Sequence, residues 1–226
     1  MLSWYATRFD TVELNNTFYH LPTPAALAQW HDGTPPNFCF AVKGSRYLTH
    51  MRKLNEPKQG LSRFLPLIEH LGQKLGPILF QLPPRWKCNP ERLERFLDAL
   101  PQTHRYGFEL RDPTWHVPEI YRLLERHNAA FCIYELAGVR SPLLVTADFT
   151  YVRLHGPGKA YQGSYRPSAL RAWAARIHEW RSSLKAVYFY FDNDQSGYAA
   201  KNALTLRGLV ERGAGRKSSE VRAKAV

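Results

Sequence analysis

Short runs rich in Phe, Tyr, Val, Ile and Leu alternate along this chain with longer amphipathic segments. That alternation restricts the fold more than any other feature. The runs are Thr11–Asn15, Phe38–Lys43, Pro77–Pro83, Arg105–Arg111, Ala129–Glu135, Thr150–His155 and Ala186–Asp192. Turn residues bound them, as expected of strands. Between them the apolar spacing becomes helical. Leu61, Phe64, Leu65, Ile68 and Leu71 share one face of an expected helix over Leu61–Leu75, and Leu93, Phe96, Leu97 and Leu100 repeat the pattern within Pro90–Leu100. Pro24–Trp30, Val117–His127, Ser168–Leu184 and Gly197–Val210 complete the expected helices. Asn89-Pro90 has the form of an N-cap followed by a proline at the first helical position. Strands alternating with helices build parallel β/α units, because a parallel pair needs a long crossover. The expected fold class is therefore α/β, a TIM-type (β/α) barrel that is incomplete, with seven visible strands; a doubly wound open sheet is the competitor. Residues 1–211 contain no Pro/Gly/Ser linker and read as a single barrel-like domain, with 212–226 as a basic, disordered tail.

Charge interrupts the strands at their C-terminal halves. Side chains alternate faces with period two. Glu13 and Asn15 therefore share a face, as do Cys39, Ala41 and Lys43, then Gly107, Glu109 and Arg111, then Tyr151, Arg153 and His155. Gln81 interrupts Ile78-Leu79-Phe80, and the last run ends in Asp192-Asn193. In a barrel the apolar set packs on the helices and the other set points inward, toward the face where barrel enzymes carry out catalysis. Glu13, Asn15, Lys43, Gln81, Glu109, Arg111, Arg153 and His155 are thus expected to form a charged ring. Plainer readings stand beside it: Glu109 and Arg111 neutralise each other, and Lys43 is a counter-ion for Glu13. Unpaired charges at buried positions are costly, so a polar ring without either pairing or function is disfavoured.

Such a ring suits a small-molecule enzyme. Glu13 and Glu109 supply two carboxylates for acid and base roles, and His155 is a further proton-transfer candidate. Lys43, Arg111 and Arg153 hold an anionic group or stabilise an oxyanion. Asn15, Gln81, Asn193 and Asn202 orient hydroxyls or carbonyls, while Tyr19 and Trp115 wall the pocket. Three cations favour a phosphorylated or carboxylated substrate. An enzyme is favoured over a pure binding protein, with no metal and no cofactor expected. The alternative is a nucleic-acid-binding protein or metal-assisted nuclease using the basic surface. The chain carries 31 Lys and Arg against 19 Asp and Glu, a formal charge of +12, of which residues 1–211 keep +8. Walker A, GxGxxG and GxSxG motifs are absent, which removes the usual nucleotide-binding and serine-hydrolase signatures. The apolar runs are too short to span a bilayer, and Met1-Leu2-Ser3-Trp4-Tyr5 is unlike a signal peptide. Cys39, Cys88 and Cys132 are far apart, as in a reduced cytoplasmic protein.

Several segments together resemble the YecE-like family, also called domain of unknown function 72. They are Phe9-Asp-Thr-Val-Glu-Leu-Asn-Asn-Thr-Phe-Tyr-His-Leu-Pro22, Phe38-Cys-Phe-Ala-Val-Lys43, Thr49-His50 and Leu75-Gly-Pro-Ile-Leu-Phe-Gln-Leu-Pro-Pro84. Glu109-Leu-Arg111 with Trp115, Tyr151-Val-Arg-Leu-His-Gly156 and Phe191-Asp-Asn193 leading into Gly197-Tyr-Ala-Ala-Lys-Asn202 complete them, in family order. The resemblance implies a TIM-type barrel and brings no established reaction. Two departures from the family pattern stand out. The usual opening strand, of the type Ile-Gly-Thr-Ser-Gly-Trp, is missing before Leu2-Ser-Trp-Tyr-Ala: either the start is mis-assigned, the fragment is truncated, or another element fills the gap. Asp192 stands where the family commonly has Asn, adding an anion to the expected ring.

Overall fold

The computed structural model describes residues 2–214 and 224–225. Two compact units divide the chain, Met1–Phe131 and Cys132–Val226.

In the first unit, α1 (Leu2–Ala6) precedes β1 (Thr11–Leu14), α2 (Asn16–Tyr19) and α3 (Pro24–Asp32). Then come β2 (Cys39–Lys43), a π-helical turn (Tyr47–Met51), α4 (Pro57–Ile68), a 3-10 segment (Glu69–Lys74) and β3 (Leu75–Leu82). The unit continues with α5 (Pro90–Asp98), β4 (Tyr106–Leu110), a 3-10 turn (Pro113–Trp115), α6 (Pro118–Arg126) and the start of β5 (Ala130–Leu136). The four strands β1 to β4 pair in parallel in chain order, and Ala130 and Phe131 of β5 join Gly107 and Phe108 of β4. Helix starts follow their sequence signals. Thr23 accepts a hydrogen bond from the Ala26 amide ahead of Pro24, and Asn89 Oδ1 accepts from the Arg92 amide at 2.9 Å ahead of Pro90. Gly60 lies in the first part of α4, buried against Leu48.

In the second unit, β5 continues from Cys132 and is followed by β6 (Val139–Arg140), β7 (Phe149–Leu154) and α7 (Pro167–Arg181). After these lie β8 (Ala186–Phe191), a 3-10 turn (Gln195–Gly197), α8 (Tyr198–Ala214) and β9 (Lys224–Ala225). β7 pairs in parallel with β5 and with β8, while β6 folds back antiparallel on β5. Lys224 and Ala225 pair in parallel with Tyr188 and Phe189. Of the segment expected to form a disordered tail, 212–214 close α8, 224–225 form β9, and the rest lies outside the described residues. The parallel strands β1 to β5, β7 and β8, separated by helices, follow the α/β, TIM-type (β/α) order expected, and β9 adds an eighth parallel strand beside β8. Among the described residues, no helix is long and apolar enough to cross a membrane.

The faces of the strands do opposite work. In the first unit Phe40, Val42, Ile78, Phe80, Leu82 and Phe108 lie toward the helices and are 0% exposed. Phe80 is central, with ring centroids 4.9 Å from Phe96 of α5, 5.5 Å from Phe108 and 6.4 Å from Phe64 of α4. Removing that ring leaves a cavity that rigid neighbouring aromatics cannot close. Phe80→Ala is expected to cost about 3–5 kcal/mol, read as a lowered urea midpoint. A loss under about 1 kcal/mol would show that this face tolerates a hole and is not the core of the unit.

Candidate functional site

Pairing register places the first unit's polar residues. Lys43 of β2 is opposite Leu79 of β3, Leu79 is opposite Gly107 of β4, and Gln81 is opposite Glu109. Partners across a parallel ladder share a face, so Lys43, Gln81 and Glu109 stand on one face at the strand C-termini, with Arg111 just beyond. Glu13 is opposite Ala41 and belongs to the same face. Glu109 is 0% exposed, and Arg111 Nε donates to its Oε1 at 2.5 Å. Holding that carboxylate ionised out of water requires such a partner, so the pairing weighed for these two residues is present. Lys43 is buried, with Nζ 4.6 Å from the centroid of the Phe18 ring.

His50 joins this group from the π-helical turn. Its ring meets Phe18 edge-on, centroid to centroid 4.9 Å. Lys43 and His50 thus share one aromatic ring. The Thr49 hydroxyl lies 3.3 Å from the Ser45 carbonyl and 2.9 Å from His50 Nδ1. With that hydroxyl turned to Ser45, its oxygen accepts from Nδ1 and Nε2 is the basic nitrogen. Burial, and then Lys43, Arg111 and Arg46, push the imidazole from its ordinary 6.5 down to about 4. His50 is therefore a neutral base among cations. Strand periodicity does not reach it, because it lies on a turn; the available signal was the Thr49-His50 pair.

The remaining expected residues of this unit are more scattered. Glu13 and Asn15 are half-buried, Asn15 at the start of α2. Tyr19 is 61% exposed, its ring edge-on to Phe18. Trp115 is fully buried, its Nε1 donating to the Trp86 carbonyl at 2.7 Å and its ring against Trp86. Its indole is thus a packing element beneath the Trp86 loop.

In the second unit, Arg153 shares its face of β7 with Tyr134 and Tyr190 on the neighbouring strands. Arg153 and His155 are both essentially unexposed, and both meet Asp192. Arg153 Nη2 donates to Asp192 Oδ2 at 3.3 Å, and His155 Nδ1 lies 2.9 Å from the same oxygen. Arg153 Nη1 lies 3.4 Å from His155 Nε2. A guanidinium only donates, so Nε2 accepts and the His155 proton sits on Nδ1, directed at Asp192. Both ring nitrogens are engaged, which makes His155 part of a clamp. Burial and Asp192 push the Asp194 carboxyl above its ordinary range.

Asn193 and Asn202 hold a loop. Asn193 Nδ2 donates to the Gly163 carbonyl at 2.7 Å and to Asn202 Oδ1 at 3.0 Å. Asn202 Oδ1 also accepts from the Tyr165 amide, and its Nδ2 donates to Ser164 Oγ. Among the described residues, no group of three or more His, Cys, Asp or Glu is placed to hold a metal ion.

A family model described as "Protein of unknown function DUF72" matches residues 1–224. UPF0759 protein YecE of Escherichia coli K12 is 33% identical over 115 residues, which cover 50% of this chain and 42% of YecE. The chain thus spans under half the length of that relative. UPF0759 protein YunF of Bacillus subtilis is 26% identical over 246 residues, covering 93% of this chain and 86% of YunF. A DUF72 protein of Enterococcus faecalis has a similar crystal structure, with a TM-score of 0.83 at 19% identity over 97% of this chain and 90% of that one. A DUF72 protein of Thermotoga maritima gives a TM-score of 0.80 at 29% identity, over 92% of this chain and 87% of its own.

The His50 environment has a signature in solution. An imidazole with a folded-state pKa of about 4 and an unfolded value of 6.5 binds its proton more tightly when unfolded. Its share of stability is therefore intact above 6.5 and falls away as pH drops toward 4. We expect the His50 Cε1 proton to titrate near 4 by NMR. We also expect His50→Gln to soften the fall in melting temperature across that interval. Titration at the ordinary value would remove the cationic surroundings inferred for this ring.

Proposed function

The chain belongs to the DUF72 family, and on that premise we propose that it is an enzyme for a small anionic substrate. The substrate is phosphorylated or carboxylated, and it is worked on by general acid/base chemistry at the C-terminal ends of β2, β3 and β4. The observation that carries this reading is the single aromatic ring of Phe18 shared by Lys43 and neutral His50, with Arg111 and Arg46 also acting on that imidazole.

Each residue has a definite part. Lys43 and Arg111 receive the anionic group, Arg111 being held in place by Glu109. Gln81, next to Glu109 in register, orients a hydroxyl or carbonyl. His50 Nε2 accepts the substrate proton. A bound anion offsets the cations that depress the imidazole, so the base strengthens as substrate arrives. The His50 imidazolium returns that proton to the product, and Glu13, on the same strand face, accepts a hydrogen bond from a product hydroxyl.

The test begins with binding of phosphorylated and carboxylated compounds, followed by calorimetry on the strongest. Arg111→Met and Lys43→Met are expected to weaken binding at least about tenfold with a cooperative melt retained. His50→Gln is expected to keep binding and lose about 10²–10⁴ in turnover. Unchanged affinity in both cation variants would overturn the proposal. Stabilisation by oligonucleotides alone, lost steeply as salt rises, would replace it with nucleic-acid binding.

A further inference from the structure

The second unit carries a different arrangement on the other face of its strands. Glu135, near the C-terminal end of β5, is a register partner of Leu154, itself opposite Phe191. It therefore lies on the face away from Arg153, where Phe189 meets Trp173 of α7. Glu135 is 7% exposed. Arg140 donates to it from Nε at 2.9 Å and from Nη2 at 2.6 Å, and both bonds end on Oε2. The carboxylate is thereby charge-compensated on one oxygen, and Oε1 takes no part in that pair. The buried Tyr165 hydroxyl accepts from the Gly156 amide at 3.0 Å, and burial together with the charge of Glu135 pushes it above its ordinary range.

Glu135 and Tyr165 border a cavity of about 580 Å³ that Lys159, Arg166 and Ser168 also line. That volume is in the range of small-molecule sites. Its loop is built rather than loose. Gly156 has φ +119°, and a Cβ there would lie 2.5 Å from the Gln162 carbonyl oxygen and 2.7 Å from that of Lys159, so only glycine fits. Gly163 is held from both sides, its carbonyl by Asn193 and its amide by Gln195 Oε1 at 3.0 Å. Asn202 fixes Ser164 and Tyr165. The two asparagines expected to touch substrate thus hold the cavity wall in shape, which lowers the ordering cost of binding.

We propose that this cavity binds a small polyhydroxylated phosphomonoester of the sugar-phosphate type. Its hydroxyls donate to Glu135 Oε1 and meet the Tyr165 hydroxyl. Its phosphate is taken by Lys159, Arg166 and Ser168. The Ser168 amide, in the first turn of α7 where no side chain caps the helix, adds a further donor. Arg140 is the reason the two ends are compatible, since it cancels the carboxylate charge that would otherwise repel a phosphate.

The test uses the full chain labelled with ¹⁵N and three probes: ribose 5-phosphate, ribose and inorganic phosphate. Ribose 5-phosphate is expected to bind at least tenfold more tightly than either part, shifting the Gly163 and Ser168 amides. Glu135→Gln should weaken ribose 5-phosphate at least tenfold without weakening phosphate. If that variant loses its cooperative melt, Tyr165→Phe is the replacement, with the same selective loss expected. Lys43→Met and Arg111→Met should leave the Gly163 and Ser168 shifts intact, which separates this cavity from the strand-end site. Equal affinity for phosphate and ribose 5-phosphate, or shifts at His50 without shifts at Ser168, would overturn the proposal.

Discussion

A carboxylate removed wholly from water stays ionised only if a cation meets it at hydrogen-bond range, and the polar chemistry of this chain is arranged around that requirement. Glu109 meets it with Arg111, two residues along the same strand face. Glu135 meets it with Arg140 across a two-residue antiparallel pair. Asp192 serves both His155 and Arg153. Local partners cost little chain entropy to bring together, since the strand itself sets their separation. Burial, and then Lys43, Arg111 and Arg46, lower the His50 imidazole with Glu109 already bound to Arg111.

The apolar face makes this possible. Phe80 packs against α4 and α5 through aromatic edges, and Phe189 packs against Trp173 of α7. Because strand side chains alternate, a strand locked on its apolar face has no freedom of register on the other. Packing of rings against helices therefore also fixes where Lys43, Gln81 and Glu109 stand. A one-residue slip of β3 would exchange Phe80 for Gln81 and destroy the core and the polar face together.

This coupling explains what was legible in the sequence. Period-two alternation located the seven longer parallel strands and put Lys43, Glu109 and Arg111 on one face, because the same alternation governs burial. β6 and β9 were not legible, since two residues carry no period. His50 was missed because its approach to Phe18 depends on the path of a turn. Trp115 was recognised as important for its type, but its full burial under Trp86 depends on contacts across 29 residues. Asn193 and Asn202 sit at the strand-end level, yet their amides are occupied by a loop some 30 residues upstream, which no local pattern encodes. Glu135 closed an otherwise apolar run and so looked like a strand end; its partners Arg140 and Tyr165 become visible only in three dimensions.

The surroundings of His50 also bear on selectivity in the proposed reaction. A base held near 4 by burial and then by adjacent cations is too weak to abstract most substrate protons efficiently. A neutral molecule entering the site leaves those cations uncompensated and the base weak. An anion compensates them, and every unit of restored pKa corresponds to about 1.4 kcal/mol of altered proton affinity. Recognition and activation are then one electrostatic event, carried by Lys43 and Arg111 and registered at His50 Nε2. Glu109 is essential to this arrangement because a guanidinium anchored at 2.5 Å can present its remaining donors to an anion with little loss of side-chain entropy.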